Sequence, residues 1–134
     1  MALPYTALDA AQAQVRVLVI IRPALRSPLR YTITIVSLNA KPHFTALSYV
    51  WGDPAVMRNI VVDGVEVEVT KNLHDALQWF SGQGQLDMPI WADAICINQQ
   101  DLDEKSNQIS LMSRIYKEAS KVMCWLGPST PKID

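Results

Sequence analysis

Between Trp91 and Gln108 the chain reads WADAICINQQDLDEKSNQ. Two carboxylates, Asp93 and Glu104, share this stretch with Cys96, Asn98, Gln99, Asp101 and Gln108. Carboxylates and amides gathered at a crevice can grip sugar hydroxyls and stabilise a developing positive charge. A cysteine needs an activating base to act as a nucleophile. The two histidines, His43 and His74, lie far from Cys96 in sequence. Cys96 therefore reads first as a small buried hydrophobe, with a cysteine hydrolase as the alternative. Asp101-x-x-Glu104 also has the spacing of a capping box, a purely structural use of the same carboxylate. Spacing alone leaves the structural and the chemical use open.

These residues need elements to position them. The apolar run MPIWADAICI reads as a buried central strand. Its end would deliver Asp93 to the carboxyl edge of a sheet, where open α/β sheets bind ligands. A helix is expected from about Leu102 to Ser120. Glu104, Gln108, Met112, Ile115 and Ala119 fall on one stripe of it, opposite Ser110, Ser113, Arg114 and Lys117. The stripe faces the sheet, yet its first turn is polar. Burying a carboxylate is costly without partners, so something must satisfy Glu104. Helix N-termini also attract phosphate.

FTALSYVWGDP begins as a strand and ends at a turn. It would bring Ser48, Tyr49, Trp51 and Gly52 to the opposite wall of a crevice. Tyr49 and Trp51 serve equally well as core anchors, and turn formation explains Asn98. QVRVLVII and RYTITIVSL read as strands. In NIVVDGVEVEVT, Asp63-Gly64 suits a two-residue hairpin turn that pairs Val62 with Val65 and Ile60 with Val67. A helix with Leu73, Ala76, Leu77 and Phe80 on one face follows, capped by Thr70 or Asn72. KVMCWLG is a last short strand, and PSTPKID reads as a linker. Arg22, Arg26 and Arg30 sit in a solvated loop, with an acidic partner or phosphate as the sharper alternative. Together these elements predict an α/β fold: a mixed β-sheet with a β-hairpin and flanking helices.

The chain has 134 residues, 49% hydrophobic and 19% charged, with a net charge of −1. That length suits one domain with a real core. The charge makes no case for nucleic acid or an anionic membrane surface. The two cysteines and two histidines show no metal-ligand spacing. There is no run of about 18 apolar residues, the length a spanning helix needs. The start lacks a basic segment followed by an apolar stretch, so no secretory signal is read and a reduced, cytoplasmic setting is expected.

Four segments carry a family resemblance: ALSYVWGD, VTKNLHDAL, IWADAICINQQDLDEKSNQISLMSRIYKEA and VMCWLG. In order and spacing they resemble the fungal heterokaryon incompatibility (HET) domain. The resemblance implies one domain over 1–127, with a motif core at 44–127 and a linker at 128–134. It implies a module that triggers cell death after non-self recognition, usually inside a larger protein or with an incompatibility partner. More remotely it implies kinship with TIR domains, hence a TIR-like or flavodoxin-like core and NAD+ as a substrate with no cofactor required. On that analogy Glu104 is the catalytic candidate and Asp93 the alternative. The chemistry would be cleavage of the N-glycosidic bond at the nicotinamide ribose. The competing expectation is a non-enzymatic module that works by self-association.

Overall fold

The computed structural model describes residues 3–21, 28–50, 53, 55–82 and 88–125. In chain order these form β1 (Gln14–Ile20), β2 (Arg30–Ser37), β3 (Thr45–Tyr49), β4 (Met57–Val62), β5 (Val65–Thr70), α1 (Lys71–Gly82), β6 (Ile90–Trp91), α2 (Asp93–Cys96), α3 (Leu102–Glu118) and β7 (Lys121–Trp125). One seven-stranded sheet runs β5-β4-β2-β1-β6-β3-β7. The expected mixed sheet with a hairpin and flanking helices is therefore what forms. β1 is antiparallel to both neighbours, β2 and β6. Parallel pairing, which a flavodoxin-like core would supply throughout, is limited to β6-β3-β7 and a short β2–β4 contact.

The hairpin forms in the predicted register, with Val62 opposite Val65 and Ile60 opposite Val67. Asp63 (φ 50°) and Gly64 (φ 77°) both take the positive φ that a type I′ turn requires. The turn is stitched to β2. The Asp63 amide donates to the Tyr31 carbonyl at 2.9 Å, and the Ile33 amide donates to Asp63 Oδ1 at 3.0 Å. α1 buries Leu73, Ala76, Leu77 and Phe80. Its cap is Thr70, whose Oγ1 accepts from the Leu73 amide at 3.3 Å. Asn72 instead donates to the Val50 carbonyl at 3.1 Å.

One expectation is corrected. MPIWADAICI is not a single strand. β6 is only Ile90–Trp91, and Asp93–Cys96 closes into a helical turn, with the Cys96 amide on the Ala92 carbonyl at 2.8 Å. The run is apolar because strand and turn are both enclosed: Ile90, Trp91, Ala92, Ile95, Cys96 and Ile97 are all buried. An uninterrupted apolar run carries no period, so it cannot distinguish a buried strand from a buried turn.

β1 runs through the middle of the sheet and buries Val15, Val17 and Leu18. Arg16 is buried between them, and is the one charged side chain among the buried residues described. Among the described residues no helix is long and apolar enough to cross a membrane. The linker at 128–134 and the loop arginines Arg22 and Arg26 lie outside the described residues.

Candidate functional site

α3 starts as its sequence dictates, with Asp101 as N-cap and Asp101 Oδ1 accepting from the Glu104 amide at 3.1 Å. The second half of the capping box does not form, since the Asp101 amide donates to the Asn98 carbonyl. The Glu104 carboxylate turns inward. Its Oε2 accepts from the Asn98 amide at 2.7 Å and from Arg16 Nη1 at 2.6 Å, while Oε1 accepts from Arg16 Nη2 at 2.8 Å. Arg16 also donates to the Cys96 carbonyl at 3.1 Å and the Thr6 carbonyl at 2.7 Å. The Tyr5 ring stacks on the guanidinium, 4.4 Å from its centroid, and the Tyr5 hydroxyl donates to the Ile95 carbonyl at 2.6 Å. The Arg16 and Glu104 side chains are 1% and 9% exposed. Glu104 thus faces the interior, but a guanidinium fills the space it faces. A bidentate, charge-assisted pair with a further backbone donor satisfies the carboxylate that burial would otherwise penalise.

Gln108 continues the stripe one turn on. It is fully buried, and its Nε2 donates to the Gln14 carbonyl at 2.9 Å, tying α3 to the start of β1. Its Oε1 is buried and finds no hydrogen-bond partner among the described residues. Glu104 and Gln108 together clamp α3 onto β1.

Asp93 sits differently. It is the first residue of α2, directly past β6, and is half-buried. The Tyr49 hydroxyl, from the end of β3, donates to Asp93 Oδ1 at 3.3 Å. Burial first, and then the neighbouring Asp93 charge, push the Tyr49 hydroxyl well above the usual phenol range. Gln99 is exposed and donates to the Asp93 carbonyl at 3.0 Å. Asn98 folds its own turn, with Oδ1 accepting from the Gln100 amide at 3.1 Å. Ser48 is half-buried on β3, opposite Cys124 of β7. Trp51 and Gly52, expected on the same wall, lie outside the described residues. The structure therefore divides the predicted set. Asp93, Tyr49 and Gln99 meet at a rim, while Glu104, Asp101, Asn98 and Gln108 belong to the α3 anchorage.

Cys96 is fully buried. Its sulfur accepts from the Ala92 amide at 3.4 Å and faces the Ile90 carbonyl at 3.9 Å. Burial pushes the thiol from 9.0 to about 12, which keeps it protonated and unreactive at neutral pH. Neither histidine serves it. His43 Nδ1 lies 3.1 Å from Ser120 Oγ, and His74 Nδ1 lies 3.4 Å from Asp75. Among the described residues no group of three His, Cys, Asp or Glu side chains converges as metal ligands.

A cavity of about 440 Å³ opens between the hairpin and the α2 loop, lined by Met57, Val67, Val69, Ile95, Asn98 and Gln99 among others. Asp93, Glu104, Ser48 and Tyr49 do not line it. A second, of about 470 Å³, lies by Lys41, His43, Arg114 and Glu118, away from the predicted set.

The sequence reading missed Arg16 and Tyr5. A signal existed: an arginine flanked by buried valines in a β-branched strand needs a carboxylate partner, and Glu104 needs a cation.

Comparison with known proteins follows the same segments. The family model described as "Heterokaryon incompatibility protein (HET)" matches residues 44–133. The chain is 39% identical over 104 residues to "Heterokaryon incompatibility protein 6, OR allele" of Neurospora crassa. That alignment covers 69% of this chain and 15% of the relative, so the chain spans a small part of that protein's length. No solved structure matches the chain. Arg16 and Tyr5 fall before the matched segment, whereas Glu104 and Asp93 fall inside it.

Proposed function

Because the chain belongs to the heterokaryon incompatibility (HET) family, we propose that it is the incompatibility module of a longer fungal protein. In this reading it triggers cell death in the cytoplasm on non-self recognition, and does so by binding protein partners, a second copy included. The observation that carries it is the state of Glu104. The carboxylate at the centre of the family-like segment is occupied by two guanidinium nitrogens and a backbone amide. A carboxylate so held is already charge-paired, and with 9% of its side chain exposed it offers a substrate little access. Its work is to fix the start of α3 against β1.

A second reading has its own observation. Asp93 is half-exposed beside the Tyr49 hydroxyl, past the carboxyl end of β6 and near that of β3. In NAD+ hydrolysis such a carboxylate would stabilise the oxocarbenium-like charge at the nicotinamide ribose as the N-glycosidic bond breaks. Nicotinamide leaves without a general acid, and water completes the sugar.

One experiment separates the two. Purified chain is incubated with NAD+ at high protein concentration, and nicotinamide is measured. In parallel, wild type and Asp93→Asn are expressed in a fungal host and scored for killing. The association reading expects no nicotinamide above buffer and full killing by Asp93→Asn. Nicotinamide release and killing that both disappear with Asp93→Asn would overturn it in favour of hydrolysis.

A further inference from the structure

β5 stands at the end of the sheet, and among the described residues its one neighbour is β4. The register fixes where its backbone points. The Val61 amide donates to the Leu29 carbonyl and the Asp63 amide to the Tyr31 carbonyl, so alternate residues here, Val61 among them, turn their hydrogen-bonding groups towards β2. Glu66 stands opposite Val61, and Glu68 opposite Asn59. In an antiparallel ladder such partners both point their N–H and C=O groups outward. The Glu66 and Glu68 backbones therefore face away from β4, and among the described residues no other backbone pairs with them there. Both side chains are exposed, while Val65, Val67 and Val69 hold the opposite face of the strand, half-buried or buried. The cavity of about 440 Å³ follows this strand, bordered by Val67, Glu68, Val69 and Thr70 in succession. Successive strand side chains point to opposite faces, so a space touched by the whole run reaches the backbone and not one face alone. Its far wall is the α2 loop, with Ile95 and Gln100.

We propose that the β5 edge docks an extended segment of a partner protein, with basic and apolar residues in alternation, as an added strand. The backbone supplies the affinity, since Glu66 and Glu68 each hold out a donor and an acceptor. The side chains supply the choice. An added strand sets its side chains beside those of β5, face for face. Lysine or arginine then falls beside Glu66 and Glu68, and the residues between fall on the valine face, which opens to the cavity. Acidic residues on an edge also repel strands of like charge. A second copy offering its own β5 would set glutamate against glutamate, so the edge selects against self-pairing and for a basic partner. The proposal rests on the reading that the chain binds protein partners, and names a surface and a partner chemistry for it. Its test reads peptide binding and not killing, so either can fail without the other.

The probe is a labelled Thr-Lys-Val-Lys-Val-Lys peptide, followed by anisotropy against the full chain. Binding should weaken at least about tenfold when glutamate replaces each lysine of the peptide. It should weaken as much when the peptide backbone is N-methylated, which keeps every charge but removes the donors. Glu68→Pro removes an outward amide without breaking the ladder to β4, so it should abolish binding and leave the fold intact. The double variant Glu66→Lys, Glu68→Lys should lose the lysine peptide and gain the glutamate one; with the peptide arms, it carries the test if Glu68→Pro does not fold. Hydrogen exchange at the Glu66 and Glu68 amides should slow when the lysine peptide is bound. A chain that ignores the lysine peptide, or binds its N-methylated form as tightly, overturns the proposal. So does a wild-type dimer in sedimentation that Glu68→Pro dissolves, because a second copy then fills the edge.

Discussion

Glu104 and Asp93 are both acidic residues in the first turn of a helix packed near the same sheet, and they end in opposite circumstances. Glu104 meets an arginine from β1 and a backbone amide, and keeps 9% of its side chain exposed. Among the described residues the Asp93 carboxylate meets one long hydrogen bond, from Tyr49, and stays half-open. Both gain from the positive end of a helix, so the dipole does not separate them. The facing strand does. Where it presents a buried cation, the carboxylate becomes a fastener; where it presents a phenol, the carboxylate stays available. An acidic side chain aimed inward is therefore evidence of a partner before it is evidence of a reaction.

The contrast breaks most readily at Arg16. Arg16→Met leaves Glu104 buried and unpaired and should cost about 3–5 kcal/mol in urea unfolding. Adding Glu104→Leu to that variant should recover most of the loss, because no buried charge is then left alone. A single variant as stable as wild type would show that the pair is not holding α3 to β1.

Alkali should loosen the same region. Burial, ahead of the Cys96 charge, pushes the Tyr5 hydroxyl to about 12 from 10.0, and burial pushes the Cys96 thiol to about 12 from 9.0. Both groups hold their protons more tightly folded than unfolded. Their contribution is complete below pH 9 and is lost as pH climbs from there towards 12. Unfolding midpoints measured across that range should fall, and Tyr5→Phe should shed the tyrosine share of the slope.

Glu104→Gln keeps the size and an acceptor but exchanges a charged pair for a neutral one, for a cost of about 2 kcal/mol. Asp93→Asn retains an acceptor for Tyr49 in a half-exposed position and should change stability by less than about 0.5 kcal/mol. This pair sharpens the contrast most directly. Equal losses at the two positions would mean that Asp93 is as structural as Glu104.

Local chemistry made much of this legible in advance. Asp63-Gly64 announces its turn because only a two-residue loop with positive φ lets the valines of β4 and β5 share a face. The α3 stripe places Gln108 and Ile115 inside because a helix repeats every 3.6 residues whatever surrounds it. Asp101 caps because its side chain reaches an amide within the same turn. The apolar run before α3 was less legible, since burial on every side erases the period that names an element.

By itself, then, the sequence determined the hairpin register, the helix faces, the N-cap and the inward aim of Glu104, because each depends on contacts within a few residues along the backbone. Only the tertiary structure decided what Glu104 meets. Arg16 lies 88 residues away along the chain and before the family-like segment, and sheet order alone brings β1 under α3. A charge states that it needs a counter-charge; which one arrives is a property of the fold, because strand neighbours are chosen by the whole core and not by any one residue.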